Sequence, residues 1–340
     1  MSTWSTWDGT TTLSSATSGS DNVLYLRGTG NTVITGNNNS YKWVLTGSDI
    51  ACTGNIENLL DYATVESGAH PTMANYCYRY MFRDCTSLTR APSLPATTLA
   101  EMCYSSMFAN CTSLTQAPAL PATKLAERCY DGMFYGCTSL THAPALPATT
   151  LAERCYYGMF DNCTSLTHAP SLPAVTLATR CYEGMFQMCS SLTQIPALPA
   201  TTLTNSCYLA MFSGCKSIKL STTQIGEYTQ EYRIPMAGTG TTATDSLNQM
   251  FFFTGGTFKE TPEINTTYYL SSDNTVIYDT EVSTLIEYVE FVAAQKLKVI
   301  SITLSASAWD SSTKTQTVTV SGVLADETKQ IITPTPALAS

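Results

Sequence analysis

Charge is what this chain has least of. Only 17 Lys and Arg and 26 Asp and Glu occur among 340 residues, 13% in all, about half the usual share. The net charge is −9 and no basic run is present, which argues against a nucleic-acid partner. Long apolar runs are also missing, so no membrane insertion is expected. The opening MSTWSTWDGT has neither a basic nor an apolar signal region, so no Sec signal peptide is expected. The three histidines, His70, His142 and His168, stand in no nucleophile or metal motif, and Gly28–Thr29–Gly30 is a turn, not a phosphate loop. The chain is therefore expected not to be an enzyme and to need no cofactor or metal.

What is abundant is repetition. The unit beginning at Cys137 reads CTSLTHAPALPATTLAERCYYGMFDN, and the unit before it, from Cys111, differs at five of 26 positions. Cysteines recur at 85, 111, 137, 163, 189 and 215, and a second column lies eight residues earlier, at 77, 103, 129, 155, 181 and 207. A fixed period in this range implies a solenoid whose units bury their apolar faces against their neighbours. Within a unit, Ser87–Ala91 reads as a short strand closed by Pro92, since proline cannot donate to a ladder. Leu99, Cys103, Met107 and Cys111 are spaced by four, with Tyr104 and Phe108 widening the stripe, which predicts a short helix or helical turn. Thr98 with Glu101, and Thr150 with Glu153, fit its capping box. The expected fold is an α/β repeat solenoid with 26-residue units, flanked by a β-rich N-terminal segment and a small β-rich C-terminal module.

The boundaries are read as 1–44 for the N-terminal cap or attachment segment, 45–265 for the solenoid, and 266–340 for a hairpin, an amphipathic helix and a small β module. LYLRG and NTVITG suggest short strands near the start. Counting back from Cys77, Ile56, Leu59, Tyr62 and Val65 fall on the positions of Phe82, Cys85, Leu88 and Ala91, a diverged first coil. Residues 221–240 read as an insertion, after which Met250 and Phe251 restore the pattern and Thr254 takes the cysteine place. YYLSSDNTVIYD suggests a hairpin, and Val282, Leu285, Ile286, Val289 and Val292 mark a helix from about Glu281 to Lys296. Trp4 and Trp7 are attachment candidates for a larger assembly, or else pack on the first coil or on a partner subunit.

The twelve column cysteines read as buried thiols that fill the ladder, rather than as disulfides or metal ligands. The positions where copies disagree are the candidate contacts. One column is Arg90, Gln116, His142, His168 and Gln194, a polar stripe on the strand face. It is either a binding surface for a receptor or a set of solvated positions free to drift. A second is Ser105, Asp131, Tyr157, Glu183 and Leu209, on the outer helical side.

The MF–x–x–C–x–S–L core followed by a proline pair resembles the BspA type of leucine-rich repeat. The resemblance covers roughly residues 45 to 265, with APALP where the commoner form has a single Ile-Pro. The run SASAWDSSTKTQTVTVSGVLADETKQIITPTPA is similar to a module in tail-fibre and baseplate-associated proteins of phages and prophages. Together these resemblances imply a phage virion structural protein, a tail or head fibre or appendage assembled in the host cytoplasm. Its solenoid would meet a host cell-surface glycan or protein. Its partners would be other virion proteins, with homo-oligomers possible. The alternative is a BspA-like adhesin on a bacterial cell surface.

Overall fold

The structure, a computed structural model, describes residues 23–278. Trp4, Trp7, the helix expected from Glu281 to Lys296 and the β module after it lie outside the described residues. The predicted helices of the repeats are not there. Between Ala100 and Cys111 and in each copy, the backbone runs as consecutive tight turns, with positive φ at every fourth residue. Met102, Ser106 and Asn110 have φ of 52°, 52° and 61°, and Arg154, Gly158 and Asn162 repeat the pattern. Amides alternate in their use. Those of Cys103, Ser105, Met107, Ala109 and Cys111 donate back three residues within the same turn ribbon. Those of Met102, Tyr104, Ser106, Phe108 and Asn110 donate to carbonyls of Glu127, Cys129, Asp131, Met133 and Tyr135 in the next repeat, at 2.6–3.0 Å.

The residues explain this choice. A spacing of four drifts by about 40° per step on a helix of 3.6 residues per turn, so Leu99 and Cys111 would end on different faces. The ribbon has a period of four and buries two neighbours in each, Cys103 with Tyr104 and Met107 with Phe108. Its left-handed positions carry Gly132, Gly136, Gly158, Gly184 and Gly214, with Asp84, Asn110 and Asn162 in the same columns, the residue types that best tolerate φ > 0. Five glycines inside helices would each cost about 1 kcal/mol against alanine.

Stacking places like on like. The rings of Tyr78, Tyr104, Tyr130, Tyr156, Tyr182 and Tyr208 stack in sequence with centroids 5.6–5.9 Å apart. Phe82 to Phe212 form a second stack, continued by Phe251, at 5.5–5.7 Å. Trp43 meets Phe82 edge-on at one end and Tyr232 meets Phe251 edge-on at the other. The thiols of Cys111, Cys137, Cys163, Cys189 and Cys215 donate to the carbonyls of Phe82, Phe108, Phe134, Phe160 and Phe186 at 2.9–3.1 Å. All thirteen cysteines are free. Burial pushes their thiols up, to about 12 for Cys77 and Cys155 and about 11 for Cys52 and Cys207.

Two further tracks join the repeats through parallel bridges. One runs Thr98, Lys124, Thr150, Thr176, Thr202, Thr241, so the expected capping threonines are ladder residues. The other runs Gln116, His142, His168, Gln194. The short strands are β1 (Ile50–Ala51), β2 (Leu88–Arg90), β3 (Gln194–Pro196), β4 (Lys219–Ser221), β5 (Tyr228–Arg233), β6 (Gly255–Gly256), β7 (Thr267–Ser271) and β8 (Thr275–Ile277). The one α-helix among the described residues is α1 (Asn58–Glu66), which follows β1 in the chain.

Both ends depart from the expectations. Residues 23–44 hold no strand, only a 3-10 turn at Asn39–Tyr41. The amides of Ile34 and Trp43 go instead to Cys77 and Met81, laying this segment along the first ribbon. The count back from Cys77 also fails. Ile50 pairs with Leu88 and Asn55 with Ser93, 38 residues apart rather than 26, because the chain carrying α1 is extra. At the other end β7 and β8 do not form a hairpin. β7 lies antiparallel between β4 and β5, whereas β8 pairs in parallel with β3 and extends the histidine track through Gln194 and Thr275. Asn274 fixes this switch by bonding Thr193, Ser217 and Lys219. The insertion at 221–240 contributes β5, and the last repeat joins as expected where Phe212 donates to Met250.

Two measurements separate a ribbon from a helix and test the thiols. Gly158 has φ of +52° with no backbone within reach of an added Cβ. Gly158→Ala is expected to destabilise by about 1–2 kcal/mol in urea melts, whereas a helix would gain about 1 kcal/mol. A thiol reagent is expected to leave the twelve buried column cysteines untouched in the folded chain and to modify all thirteen in denaturant.

Candidate functional site

The strand-face track brings together most of the expected stripe. Gln116, His142, His168 and Gln194 sit on successive bridges, while Arg90 pairs with Ala51 at the end of β2. The imidazoles of His142 and His168 stack with centroids 4.5 Å apart. Their Nδ1 atoms lie 3.0 and 2.7 Å from Thr141 Oγ1 and Thr167 Oγ1. Two imidazoles by themselves make an incomplete ligand set for a metal. Desolvation, then the neighbouring His142, holds His168 below the usual histidine range. Exposure fades along the track: Arg90, Gln116 and His142 are exposed, His168 and Gln194 half-buried.

The turn ribbon carries the richer surface. Amides of Ser106, Gly132, Gly158 and Gly184 donate to carbonyls of Asp131, Tyr157, Glu183 and Leu209. The second variable column is therefore contiguous, with Asn248 next in line through Ala210. Four residues further along each ribbon lies a column of Tyr135, Asp161 and Gln187, linked by Gly136 and Asn162. Between these columns stand Ser106, Gly132, Gly158, Gly184 and Ala210. Small residues there leave a trough, and the last repeat closes its end with Asp245, Asn248 and Gln249. Across Tyr157, Glu183 and Leu209 the trough opens into a cavity of about 270 Å³.

Its electrostatics are mixed. Arg128, Arg154 and Arg180 occupy the adjacent left-handed column. Arg180 Nε lies 3.5 Å from Glu183 Oε2, yet that oxygen is buried without a hydrogen-bond partner, as are Nε of Arg128 and Arg154. Burial pushes Asp131 up to about 6 against the pull of Arg128 and Arg79, and pushes Asp161 up to about 6. Glu183 and Tyr157 move up for the same reason. The Tyr157 ring stays partly exposed beside Arg154, 5.9 Å from its centroid. Among the described residues no group of three or more His, Cys, Asp or Glu is placed to hold a metal. The Tyr135–Asp161–Gln187 column lies four residues beyond the second variable column, where a helix would also have placed it, and the sequence expectations did not include it. The Gly132, Gly158 and Gly184 column between the two was the available signal.

Carboxyls raised by burial bind protons more tightly folded than unfolded, so stability falls as pH rises from about 4 towards 6. Asp131→Asn and Asp161→Asn are expected to raise the urea midpoint at pH 7 and to leave it little changed at pH 4.

A family model described as BspA type leucine rich repeat region matches in six copies, over residues 61–141 and 104–233. No curated protein and no solved structure matches the chain. The matched repeats coincide with the stacked ribbons and span just over half of the sequence, and the chain belongs to the BspA type leucine-rich repeat family.

Proposed function

We propose that this chain is a non-catalytic interaction protein acting at a surface, with a solenoid that presents side chains in rows. The observation that carries the reading is where the repeats differ. Ribbon amides, aromatic stacks and thiols recur from copy to copy. Of the residues that change, Gln116, His142 and Tyr157 are exposed, and Asp131, Glu183 and Leu209 are half-buried. An invariant scaffold with variable exposed rows is the arrangement by which repeat proteins meet extended partners.

The surface we propose is that of a virion, with the solenoid, as part of a fibre or appendage, contacting a host cell. The similarity of residues 305–337 to tail-associated modules supports this reading. A BspA-like adhesin on a bacterial cell surface fits the repeats at least as well, since they alone support surface interaction and not its carrier. In either case the stripe of Arg90, Gln116, His142, His168 and Gln194 is a proposed contact.

Gold-labelled antibody against the chain is expected to decorate purified particles in electron microscopy. Label on the bacterial envelope instead would select the adhesin, and label on neither would sink both. Replacing the five stripe residues with Ser is expected to reduce adsorption; unchanged adsorption would remove the stripe from the contact surface.

A further inference from the structure

We infer that the trough on the turn-ribbon face is a binding site for a neutral oligosaccharide. The inference rests on the surface-interaction reading and assigns a ligand class to a face that the strand stripe does not include. Three observations carry it. The first is shape. Gly158, Gly184 and Ala210 form a floor without long side chains, and the cavity above them, about 270 Å³, lies just below the volumes of drug-sized pockets. That suits one or two sugar rings, not a folded protein surface.

The second is the kind of group on the walls. Asp161, Glu183, Gln187 and Asn248 are planar carboxylates and amides around one cavity, and such groups take paired hydrogen bonds from vicinal hydroxyls. Glu183 Oε2 is buried against Arg180, 3.5 Å away, which fixes the carboxylate in the wall of the cavity. The partly exposed Tyr157 ring adds an aromatic face against which the C–H side of a pyranose packs. Leu209 is the one large aliphatic wall residue, too little apolar area for the core of a protein interface.

The third is charge. Asp161, Glu183 and Asp245 line the cavity and no basic side chain does; Arg180 offsets Glu183 from outside the lining, 3.5 Å away. Such walls repel sialic and uronic acids, so the sugar they fit is an uncharged one.

The test uses the purified full chain and isothermal titration with cello-, malto-, manno- and chito-tetraose, and hexalysine in parallel. At least one tetraose is expected to bind, with affinity lowered about tenfold or more in Tyr157→Ala and in Glu183→Gln. Val175→Ser, at an exposed position outside both surfaces, is expected to bind as the parent does. Both ribbon-face substitutions leave the backbone links through residues 157 and 183 in place, and circular dichroism with urea melts reports whether each variant is folded. Absence of binding by all four sugars overturns the inference, as does binding that both ribbon-face variants retain. Hexalysine binding in place of sugar overturns it in favour of a cationic peptide. If sugar binding is absent while antibody still labels particles or cells, the surface reading stands and only the assignment of this trough falls.

Discussion

Every second amide of each turn ribbon is committed to a carbonyl of the next repeat, and the rest of the structure depends on that division of labour. An α-helix satisfies its own backbone and leaves neighbours to be joined by side chains alone. The ribbon satisfies half of its donors internally and must borrow acceptors for the other half. A single repeat is thus incomplete, and repeats are held in register by backbone bonds whose spacing admits no slip without exposing the apolar pairs. Left-handed residues every four positions make this geometry possible, so the glycine and asparagine columns are structural requirements, not loose loop composition.

Register in the backbone explains order in the core. Because each ribbon lies directly on the last, tyrosine meets tyrosine, phenylalanine meets phenylalanine, and each cysteine of one column reaches the phenylalanine carbonyl of the preceding repeat. Stacked rings and close-packed thiols leave little space for substitution, which accounts for the near identity of successive copies. The ends close by different means: Trp43 and Tyr232 finish the phenylalanine stack edge-on, and residues 28–43 supply the amides that a preceding ribbon would have supplied.

The same rigidity makes the outer columns a usable surface. Side chains from residues 26 apart in sequence stand on neighbouring coils, so variation at one repeat position becomes a row of different groups along one face. The strand track produces a thin polar stripe with a stacked histidine pair. The ribbon produces a trough with a bare floor, an exposed tyrosine and a carboxylate, Glu183, held in the wall by Arg180. Physical chemistry favours the second as a ligand site, because it is concave and gathers several hydrogen-bonding side chains around one cavity.

The repeat period, the two cysteine columns, the inward set of Leu, Met, Phe, Tyr and Cys, the family resemblance and the variable columns were all readable from the residues, since each follows from what recurs and what does not. The choice between helix and turn ribbon was also present, in the glycines and asparagines that recur at two positions four apart in the units, but a spacing of four mimics a helical face over so short a run. The register of the first repeat was not readable, because 38 residues separate β1 from β2 partners and a count at the regular period lands on α1 instead. Nor was the fate of β7 and β8, whose pairing is decided by distant edges that need partners, not by the turn between them. That Tyr157 with Asp161 stacks directly on Glu183 with Gln187, so that the pairs line one cavity over a glycine floor, was decided only by the tertiary structure, since the bonds of Gly158 and Asn162 to the next repeat set that contact.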